Sequence, residues 1–260
     1  MTQKTPQEEA SEIGQTSGNS FHCRVINYFR ERGWKTAISP FYVDGVTDKT
    51  RETDLIAEKL FLGSRDWRKE KNLRMRLFIE CKYVAEKTTV FWFDAQDEKA
   101  TRTWLNRHTP LNDGNQYQNE HHYLKRRGAV AKLFQTGIKA AEQEAIFKAL
   151  NQTLHGYISN RMHPPLTDAG KWPTFGIDYP VIVFSDFSRF FRAEVSGAPE
   201  IAPIEENFLM EVNYAYMDGA AKKPHDYFLV DFVRFDRLDA FLKELENEVA
   251  PAQYLAGDVR

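Results

Sequence analysis

The sequence predicts an α/β protein in which helices flank a mixed β-sheet and the C-terminal half adds further strands. Short apolar runs alternate with segments of helical periodicity along the 260 residues. An apolar content of 42% is typical of a folded globular chain, and the length suits one large α/β domain or two small ones. No linker-like stretch divides the chain, so we expect one domain over residues 21–260, preceded by a polar leader over residues 1–20.

The composition excludes several classes of protein. No run of 18 apolar residues occurs, so we expect no membrane-spanning segment and no membrane partner. The two cysteines, Cys23 and Cys81, form no disulfide framework and fit a reducing cytoplasm. Residues 1–20 lack the apolar core of a signal peptide, which predicts a cytoplasmic protein with a disordered or loosely attached leader. The formal net charge of −2 gives no general attraction to nucleic acid, so such binding would depend on local patches.

The periodicity of apolar residues and the positions of Gly and Pro predict the order of the helices and strands. In the first half they are a helix Phe21–Arg32 that Gly33 ends, a strand Lys35–Val43, strands at Arg51–Ala57 and Leu77–Tyr83, a third, central strand Thr88–Phe93, and a short helix Ala95–Leu105. In the second half they are helices His121–Arg127 and Ile138–Met162, a loop His163–Asp178, strands Val181–Phe184, Phe208–Tyr216 and Tyr227–Phe235, and a final helix capped by Asp236.

Two of the predicted strands carry charge where a buried strand should be apolar. Asp54 lies in one of them, and Glu80 and Lys82 lie in the other. Side chains alternate between the faces of a strand, so Glu80 and Lys82 share a face. If the strands pair, a favourable register places Asp54 beside Glu80, because directly opposed Cβ atoms lie about 4.5–5.5 Å apart. Two carboxylates and a lysine would then meet at one place on a half-buried sheet.

This constellation has a chemical and a structural interpretation. Carboxylate oxygens are the ligands that Mg²⁺ prefers, and a bound ion can polarise a phosphoryl oxygen and lower the pKa of a water molecule. Lys82 could orient that water or offset charge on the phosphate. The alternative is a structural salt bridge between Lys82 and either Asp54 or Glu80. Burying three charges is costly unless all are paired, which favours the functional interpretation.

The two strands also resemble a known motif. Glu52–Asp54, followed after a hairpin by Glu80–Lys82, is similar to the signature of the PD-(D/E)XK nuclease superfamily, the restriction-endonuclease-like proteins. Thr53 stands where the family name has a proline, which is a common variation. The resemblance extends over about residues 21–93, and beyond them it concerns architecture alone.

The resemblance implies a restriction-endonuclease-like fold and a role for each residue of the motif. Asp54 and Glu80 would be the metal-ligating acids, Lys82 the catalytic lysine, and the backbone carbonyl of Cys81 would complete a site for Mg²⁺ or Mn²⁺. The implied activity is that of a metal-dependent (endo)deoxyribonuclease, with RNA a less expected substrate, in bacterial antiviral defence or a mobile element. The alternative is a nuclease-fold protein that binds nucleic acid or a protein partner without cutting. The sequence leaves a homodimer open.

Further residues are predicted to contact nucleic acid. The connection from Gly63 to Arg76 holds six bases against two acids, with an aromatic residue among them, a composition that suits phosphate contact and base stacking. A solvated hairpin tip is the alternative. The predicted contacts in it are Arg65, Trp67, Arg68, Lys69 and Lys71.

Three histidines could also contact a ligand. His22 stands where related nucleases often have an acid that assists the metal, and it is expected either to contact DNA or to be a surface histidine. His121 and His122 are adjacent, and adjacent helix residues point about 100° apart. Because nothing in the sequence completes a ligand set, we do not predict a zinc site there.

Overall fold

The computed structural model describes residues 4–16, 18–44, 49–63, 72–83, 87–110, 116–125, 129–137, 144–161, 174–196, 200–218 and 221–258. Its helices are α1 (Pro6–Thr16), α2 (Gly18–Glu31), α3 (Glu98–His108), α4 (His122–Lys125), α5 (Glu144–Asn160) and α6 (Leu238–Asp258). Its strands are β1 (Lys35–Ile38), β2 (Phe41–Asp44), β3 (Lys49–Glu52), β4 (Leu55–Phe61), β5 (Asn72–Lys82), β6 (Thr89–Asp94), β7 (Val130–Thr136), β8 (Thr174–Phe184), β9 (Phe190–Glu194), β10 (Ala202–Pro203), β11 (Phe208–Asp218) and β12 (Ala221–Arg234). Within the described ranges, none of the helices is long and apolar enough to cross a membrane.

The described strands form a large mixed sheet and a separate hairpin. The order in the sheet is β1-β4-β5-β8-β12-β11-β7-β6-β9-β10, and β2 pairs only with β3. β4 is antiparallel to β5, whereas β5, β8 and β12 run parallel to one another. The predicted mixed α/β architecture is therefore confirmed, and strands from the C-terminal half join the sheet that β4 and β5 begin.

Helices cover both faces of the sheet around β5 and β8. Leu77 of β5 lies opposite Tyr179 of β8, so Phe78 points to the other face. On that face the ring of Phe78 meets Tyr157 of α5 edge to face, with centroids 5.7 Å apart. On the first face Tyr179 donates its hydroxyl proton to Glu248 of α6 over 2.8 Å. The two strands are thus enclosed between α5 and α6.

The sheet curls around a ring of phenylalanines. Successive ring centroids lie 5.1, 4.9, 5.0, 5.1 and 4.9 Å apart, and the last contact returns to the first residue. The members, in that order, are Phe184, Phe232, Phe208, Phe91 and Phe190. Because they come from β8, β12, β11, β6 and β9, the contacts bring strands far apart in the sheet order together and give the fold a second core region.

β8 differs from the prediction, which placed a loop up to Asp178 and a strand only from Val181. The strand begins at Thr174 and lies beside β5. Pro180 lacks an N–H and normally argues against a central strand. However, β12 pairs with β8 only from Val181 onward, and the N–H groups that face β5 belong to the odd-numbered residues, as the bond from Ser185 N to Lys82 O shows. Pro180 therefore lies where no ladder bond requires its proton.

β6 is also placed differently. The run Thr88–Phe93 was predicted to be a third, central strand, but β6 lies between β7 and β9, and four strands separate it from β5. Its burial alternates, whereas every residue of β8 after Thr174 is buried. A strand that is apolar on both faces occupies the centre of a sheet more readily than one with alternating burial. β8 consequently occupies the position beside β5 that was expected for β6.

The predicted strand Lys35–Val43 is divided into β1 and β2. The break falls at Ser39-Pro40, where Ser39 has a φ of 48°. β1 pairs with β4 in the main sheet, whereas β2 leaves it to form the hairpin with β3. A residue with positive φ followed by proline cannot continue an extended strand, so the prediction of a single strand was wrong.

The leader contains α1, a helix that the sequence analysis did not predict. Its described side chains are all exposed. Thr5 and Glu8 form a reciprocal cap in which Thr5 N donates to Glu8 Oε2 over 2.7 Å and Glu8 N donates to Thr5 Oγ1 over 3.3 Å. This capping box, with Pro6 as the first helical residue, was readable from the sequence Thr-Pro-Gln-Glu.

The three longest predicted helices occur with adjusted ends. α2 buries Phe21, Val25 and Phe29 and ends before Gly33, whose φ of 76° suits glycine. Along α5 the apolar stripe expected from Ile146 to Tyr157 is buried, while residues 138–143 lie outside the described ranges. α6 buries the predicted residues Leu238, Phe241, Leu242 and Leu245.

Gly156 of α5 lies directly against Thr53, the residue before Asp54. A Cβ built on Gly156 would stand 2.1 Å from Thr53 Oγ1 and 3.3 Å from Thr53 Cβ. Thr53 itself is fully buried. Glycine inside a helix is otherwise unfavourable, so this position serves the close approach of α5 to the chain that leads into β4.

We expect Gly156→Ala to destabilise the protein by about 1–2 kcal/mol, because overpacking outweighs the gain of about 1 kcal/mol in helix propensity. The double variant Gly156→Ala/Thr53→Ala removes the Oγ1 contact and should recover most of the loss. Gly14→Ala in α1, with open space around it, is the matched control and should be neutral or stabilising. Urea unfolding measures all three, and a stabilised Gly156→Ala single variant would contradict the packing argument.

Candidate active site

β4 and β5 bring the three motif residues to one end of the sheet. The antiparallel register pairs Leu55 with Ile79 at the last step of the ladder. Asp54 directly precedes β4, so the same register continued by one residue sets it opposite Glu80. Lys82 is the last residue of β5.

The carboxylate of Asp54 is fixed by the backbone of β5. Cys81 N donates to Asp54 Oδ2 over 2.8 Å. The N–H and C=O of one strand residue point to the same side, so the Cys81 carbonyl also lies on the Asp54 side of β5. Asp54, Glu80 and this carbonyl therefore present oxygen atoms at the same end of the sheet.

Glu80 is a buried carboxylate with only one of its oxygens paired. Its side chain is 1% exposed, and Oε1 accepts a hydrogen bond from Lys82 Nζ over 2.7 Å. Within the described ranges, Oε2 is buried and has no hydrogen-bond partner. Lys82 is 25% exposed, so its ammonium also reaches solvent. The predicted common face of Glu80 and Lys82 is thus observed.

The electrostatic environment of Glu80 favours its protonated form. Burial raises the pKa of this carboxyl and the negative charge of Asp54 raises it further, whereas Lys82 and the nearby backbone N–H of Asp54 lower it, and the resulting pKa is about 7. When Glu80 is ionised, the two carboxylates exceed the charge of Lys82 by one negative charge beside a buried side chain. A cation that coordinated Oε2 would remove that excess.

The donor set fits the hard cation that the sequence predicted. An unpartnered buried carboxylate oxygen, a second carboxylate and a nearby carbonyl are all oxygen ligands, which suit Mg²⁺ or Mn²⁺ better than softer ions. Buried carboxylate oxygens usually have at least one hydrogen-bond partner, so the unpartnered Oε2 is the oxygen that a cation could coordinate. The residues present therefore fit a cation held by Asp54, Glu80 and the Cys81 carbonyl.

His22 lies at this site and is not a surface histidine. The side chain is half-buried, and its Nε2 lies 2.8 Å from the backbone oxygen of Asp54. Sequence analysis expected a DNA contact or an exposed ring, and it did not anticipate this hydrogen bond. Two signals near the site were present in the sequence but unused, namely Gly156 within the apolar stripe of α5 and the pair Ser39-Pro40.

The basic residues predicted for the connection Gly63–Arg76 fall into two groups. Arg65, Trp67, Arg68, Lys69 and Lys71 lie outside the described residues. Arg76 belongs to β5, and its guanidinium forms a two-point ion pair with Asp178 of β8 at 2.8 and 2.6 Å. Both partners are largely buried, so Arg76 is a sheet residue rather than part of a basic hairpin.

A second cluster of buried titratable groups joins α4, α6, β8 and β12. The histidines predicted to begin a basic helix are both buried, and α4 is a single turn. His122 Nδ1 lies 2.6 Å from Glu248 Oε1 and its Nε2 lies 3.2 Å from Asp231 Oδ2. Burial lowers the pKa of His122, but the charges of Glu248 and Asp231 outweigh it and raise the pKa to about 9. His122 is therefore an imidazolium between two carboxylates.

His121 completes this network as a neutral ring. Tyr123 N donates to His121 Nδ1 over 3.1 Å, so the ring proton is on Nε2. Nε2 then lies 3.1 Å from the Tyr179 hydroxyl and 3.5 Å from Glu248 Oε2. The donor atoms of His121, His122 and Glu248 lie within 4.8 Å of one another, a spacing that could suit a metal. A metal at Nε2 would move the proton to Nδ1 against the Tyr123 N–H, so the cluster fits a proton network better.

Comparisons with known proteins give no family for this chain. No family model, no curated protein and no solved structure matches it.

The state of Glu80 leads to a stability prediction. Its folded pKa of about 7 lies above the ordinary 4.5, so its contribution to stability is full below pH 4.5 and is lost as the pH rises through about 7. At pH 8 we expect Glu80→Gln to stabilise the metal-free protein by up to about 3 kcal/mol, since one pKa unit corresponds to about 1.4 kcal/mol.

Denaturant unfolding at pH 5 and pH 8 measures this effect. Glu52→Gln, at an exposed position two residues before Asp54, is the matched control and should change stability by less than about 0.5 kcal/mol. A Glu80→Gln variant that is less stable than wild type at pH 8 would show that the Glu80–Lys82 pair is a structural salt bridge.

For the cluster around His122 we expect the opposite effect, a loss of stability when one carboxylate is neutralised. Removing one partner of a buried ion pair leaves the other uncompensated, so Glu248→Gln should destabilise the protein by about 3–5 kcal/mol. Glu246→Gln on the same helix breaks only the exposed pair with Lys59 and should cost at most about 1 kcal/mol. Thermal unfolding with and without Zn²⁺ completes the test, and a stoichiometric rise in Tm on adding Zn²⁺ would replace the proton network with a metal site.

Proposed function

We propose that this protein is a metal-dependent nuclease of the PD-(D/E)XK type that hydrolyses phosphodiester bonds in DNA. The observation that carries the proposal is the buried carboxylate of Glu80, which has one unpartnered oxygen, lies close to Asp54 and accepts a hydrogen bond from Lys82. The mixed sheet with helices on both faces around β5 is compatible with the restriction-endonuclease-like architecture that the motif implies.

Each residue has a distinct task in the proposed reaction. Asp54, Glu80 and the Cys81 carbonyl would hold Mg²⁺ or Mn²⁺, which supplies Lewis acidity toward a phosphoryl oxygen and lowers the pKa of a water molecule. The two carboxylates are held in place by β5 itself, through the Cys81 N–H and through the buried position of Glu80. This arrangement positions ligands before any substrate arrives.

Lys82 is placed to act on the substrate side of the site. Its ammonium has three protons, and one of them is used by Glu80 Oε1. The other two remain for a water molecule or a phosphate oxygen at the solvent-exposed end of the side chain. A cation at that place orients the attacking water or offsets charge that develops on the phosphate.

The activity is tested by cleavage assays on plasmid, linear and single-stranded DNA with Mg²⁺ or Mn²⁺, and on RNA as a separate arm. Cleavage of DNA that EDTA abolishes supports the proposal. Binding of DNA without cleavage under any of these conditions would instead indicate a nuclease-fold protein that only binds nucleic acid.

Two variants distinguish the proposed metal ligand, Asp54, from the proposed catalytic residue, Lys82. Asp54→Asn keeps an acceptor for the Cys81 N–H but removes a charge, so Mn²⁺ affinity and cleavage should fall together while metal-free DNA binding survives. Lys82→Ala keeps both carboxylates, so Mn²⁺ should still bind while turnover falls roughly 10²–10³-fold. Because Lys82 also lowers the pKa of Glu80, the comparison is made at pH 8.5, above the value of about 7.

Lys59→Ala, on the neighbouring strand, provides the control. Lys59 pairs with Glu246 of α6, away from the site, so the variant should cut DNA at the wild-type rate. Calorimetric titration with Mn²⁺ accompanies the assay. Wild-type metal binding and wild-type cleavage by both Asp54→Asn and Lys82→Ala would place the activity elsewhere in the molecule.

A further inference from the structure

The main chain at Asp54 is held from three directions. Its carbonyl oxygen lies 2.8 Å from His22 Nε2 and accepts a second hydrogen bond from Ser39 N over 3.0 Å. One residue earlier, Thr53 N donates to Pro40 O over 3.1 Å. We propose that His22 and Ser39 are positioning residues that fix Asp54 in its metal-binding position before the ion arrives. The inference rests on the proposed role of Asp54 as a ligand.

The hydrogen bond of His22 has one direction only. A carbonyl oxygen accepts and never donates, so the proton between the two groups is on Nε2 of His22. The ring is carried by α2, which is anchored in the core through Phe21 and Val25 on either side of it along the helix. A helix thus fixes the position of the donor, which a loop residue would define less well. Since Nε2 is committed to Asp54, the same nitrogen is not free for DNA.

Ser39 reaches Asp54 from a strained corner. Among the described residues it is the only one other than glycine with a positive φ, at 48°, and proline follows it. Both features are unfavourable, because positive φ is a sparsely occupied region for residues with a Cβ and a following proline disfavours helical conformations further. Strain of this kind persists where the surrounding structure requires it, and it occurs often at active sites. The hydrogen bond from the Ser39 N–H to Asp54 continues the β1–β4 register, and the positive φ turns the chain after Ser39 so that Pro40 O meets Thr53 N.

The two ends of Asp54 are therefore fixed independently. The backbone carbonyl is bound by His22 and Ser39, and the carboxylate is bound by the Cys81 N–H at 2.8 Å. If the backbone shifted, the carboxylate would lose its place beside Glu80. Groups that hold a metal ligand from outside the ligand set typically contribute 10–100-fold to metal affinity.

The experiment compares His22→Ala with His22→Gln. Alanine removes the donor, whereas the side-chain amide of glutamine can place an N–H close to where Nε2 stands. We expect Mn²⁺ affinity at pH 8.5 to fall about tenfold in His22→Ala and to remain within about threefold of wild type in His22→Gln. Amide exchange at Cys81 in the metal-free protein should accelerate in His22→Ala only, because its acceptor becomes mobile.

A second pair of variants tests the corner. Ser39→Gly keeps the N–H and removes the steric conflict, so Mn²⁺ affinity should stay at the wild-type level. Ser39→Val cannot adopt a φ of 48° without greater strain, so the corner should shift and the affinity should fall. Circular dichroism confirms that each variant is folded before it is titrated.

The outcomes separate this inference from the proposed function. If the wild-type protein binds no Mn²⁺, the nuclease proposal is overturned. The role of His22 in positioning Asp54 would still be supported if Cys81 exchange accelerates in His22→Ala only. Wild-type Mn²⁺ affinity and Cys81 exchange in His22→Ala would overturn the positioning role. A loss of metal-free DNA binding in His22→Ala, with Mn²⁺ affinity unchanged, would overturn it too and assign His22 to the DNA.

Discussion

The candidate site depends on one constraint, the burial of a carboxylate at Glu80 close to a second carboxylate. When both are ionised, Asp54 and Glu80 carry two negative charges against the single positive charge of Lys82, and Glu80 is almost entirely removed from water. A structural ion pair would balance within itself. The residual charge of −1 would become +1 with a divalent cation and zero with one phosphodiester anion added, which is consistent with the proposed nuclease.

The two buried charge clusters of this molecule differ in a way that separates function from structure. In the cluster around His122, both ring nitrogens face carboxylates, and Glu248 accepts hydrogen bonds from His122 and Tyr179. A fully satisfied network of this kind links helices to the sheet and leaves little for a ligand to do. At Glu80 one oxygen is unpartnered although the position is equally buried. The unpartnered oxygen, next to Asp54 and Lys82, is what supports the proposal of a cation site at the first cluster.

The sequence predicted features that depend on neighbouring residues and failed on those that depend on distant ones. The face shared by Glu80 and Lys82 follows from strand alternation over two residues, and the helices follow from local periodicity. In contrast, β8 pairs with β5 across about 100 residues, and Glu248 meets His122 across 126. No local pattern encodes such pairings. Pro180 would normally argue against a central strand, but its missing N–H matters only where a ladder bond is needed.

The motif and the fold contribute different information about the site. The sequence Glu80-Cys81-Lys82 could equally occur in an edge strand. There the glutamate and lysine would form a solvated ion pair that contributes little to stability and has no function. What the fold adds is that β8 flanks β5 on the side away from β4, so that β5 is an interior strand. Interior placement buries Glu80, and burial together with the charge of Asp54 raises its pKa to about 7; the proposed cation would offset both effects. The chemistry proposed for this protein thus depends on the distant β8 as much as on the motif itself.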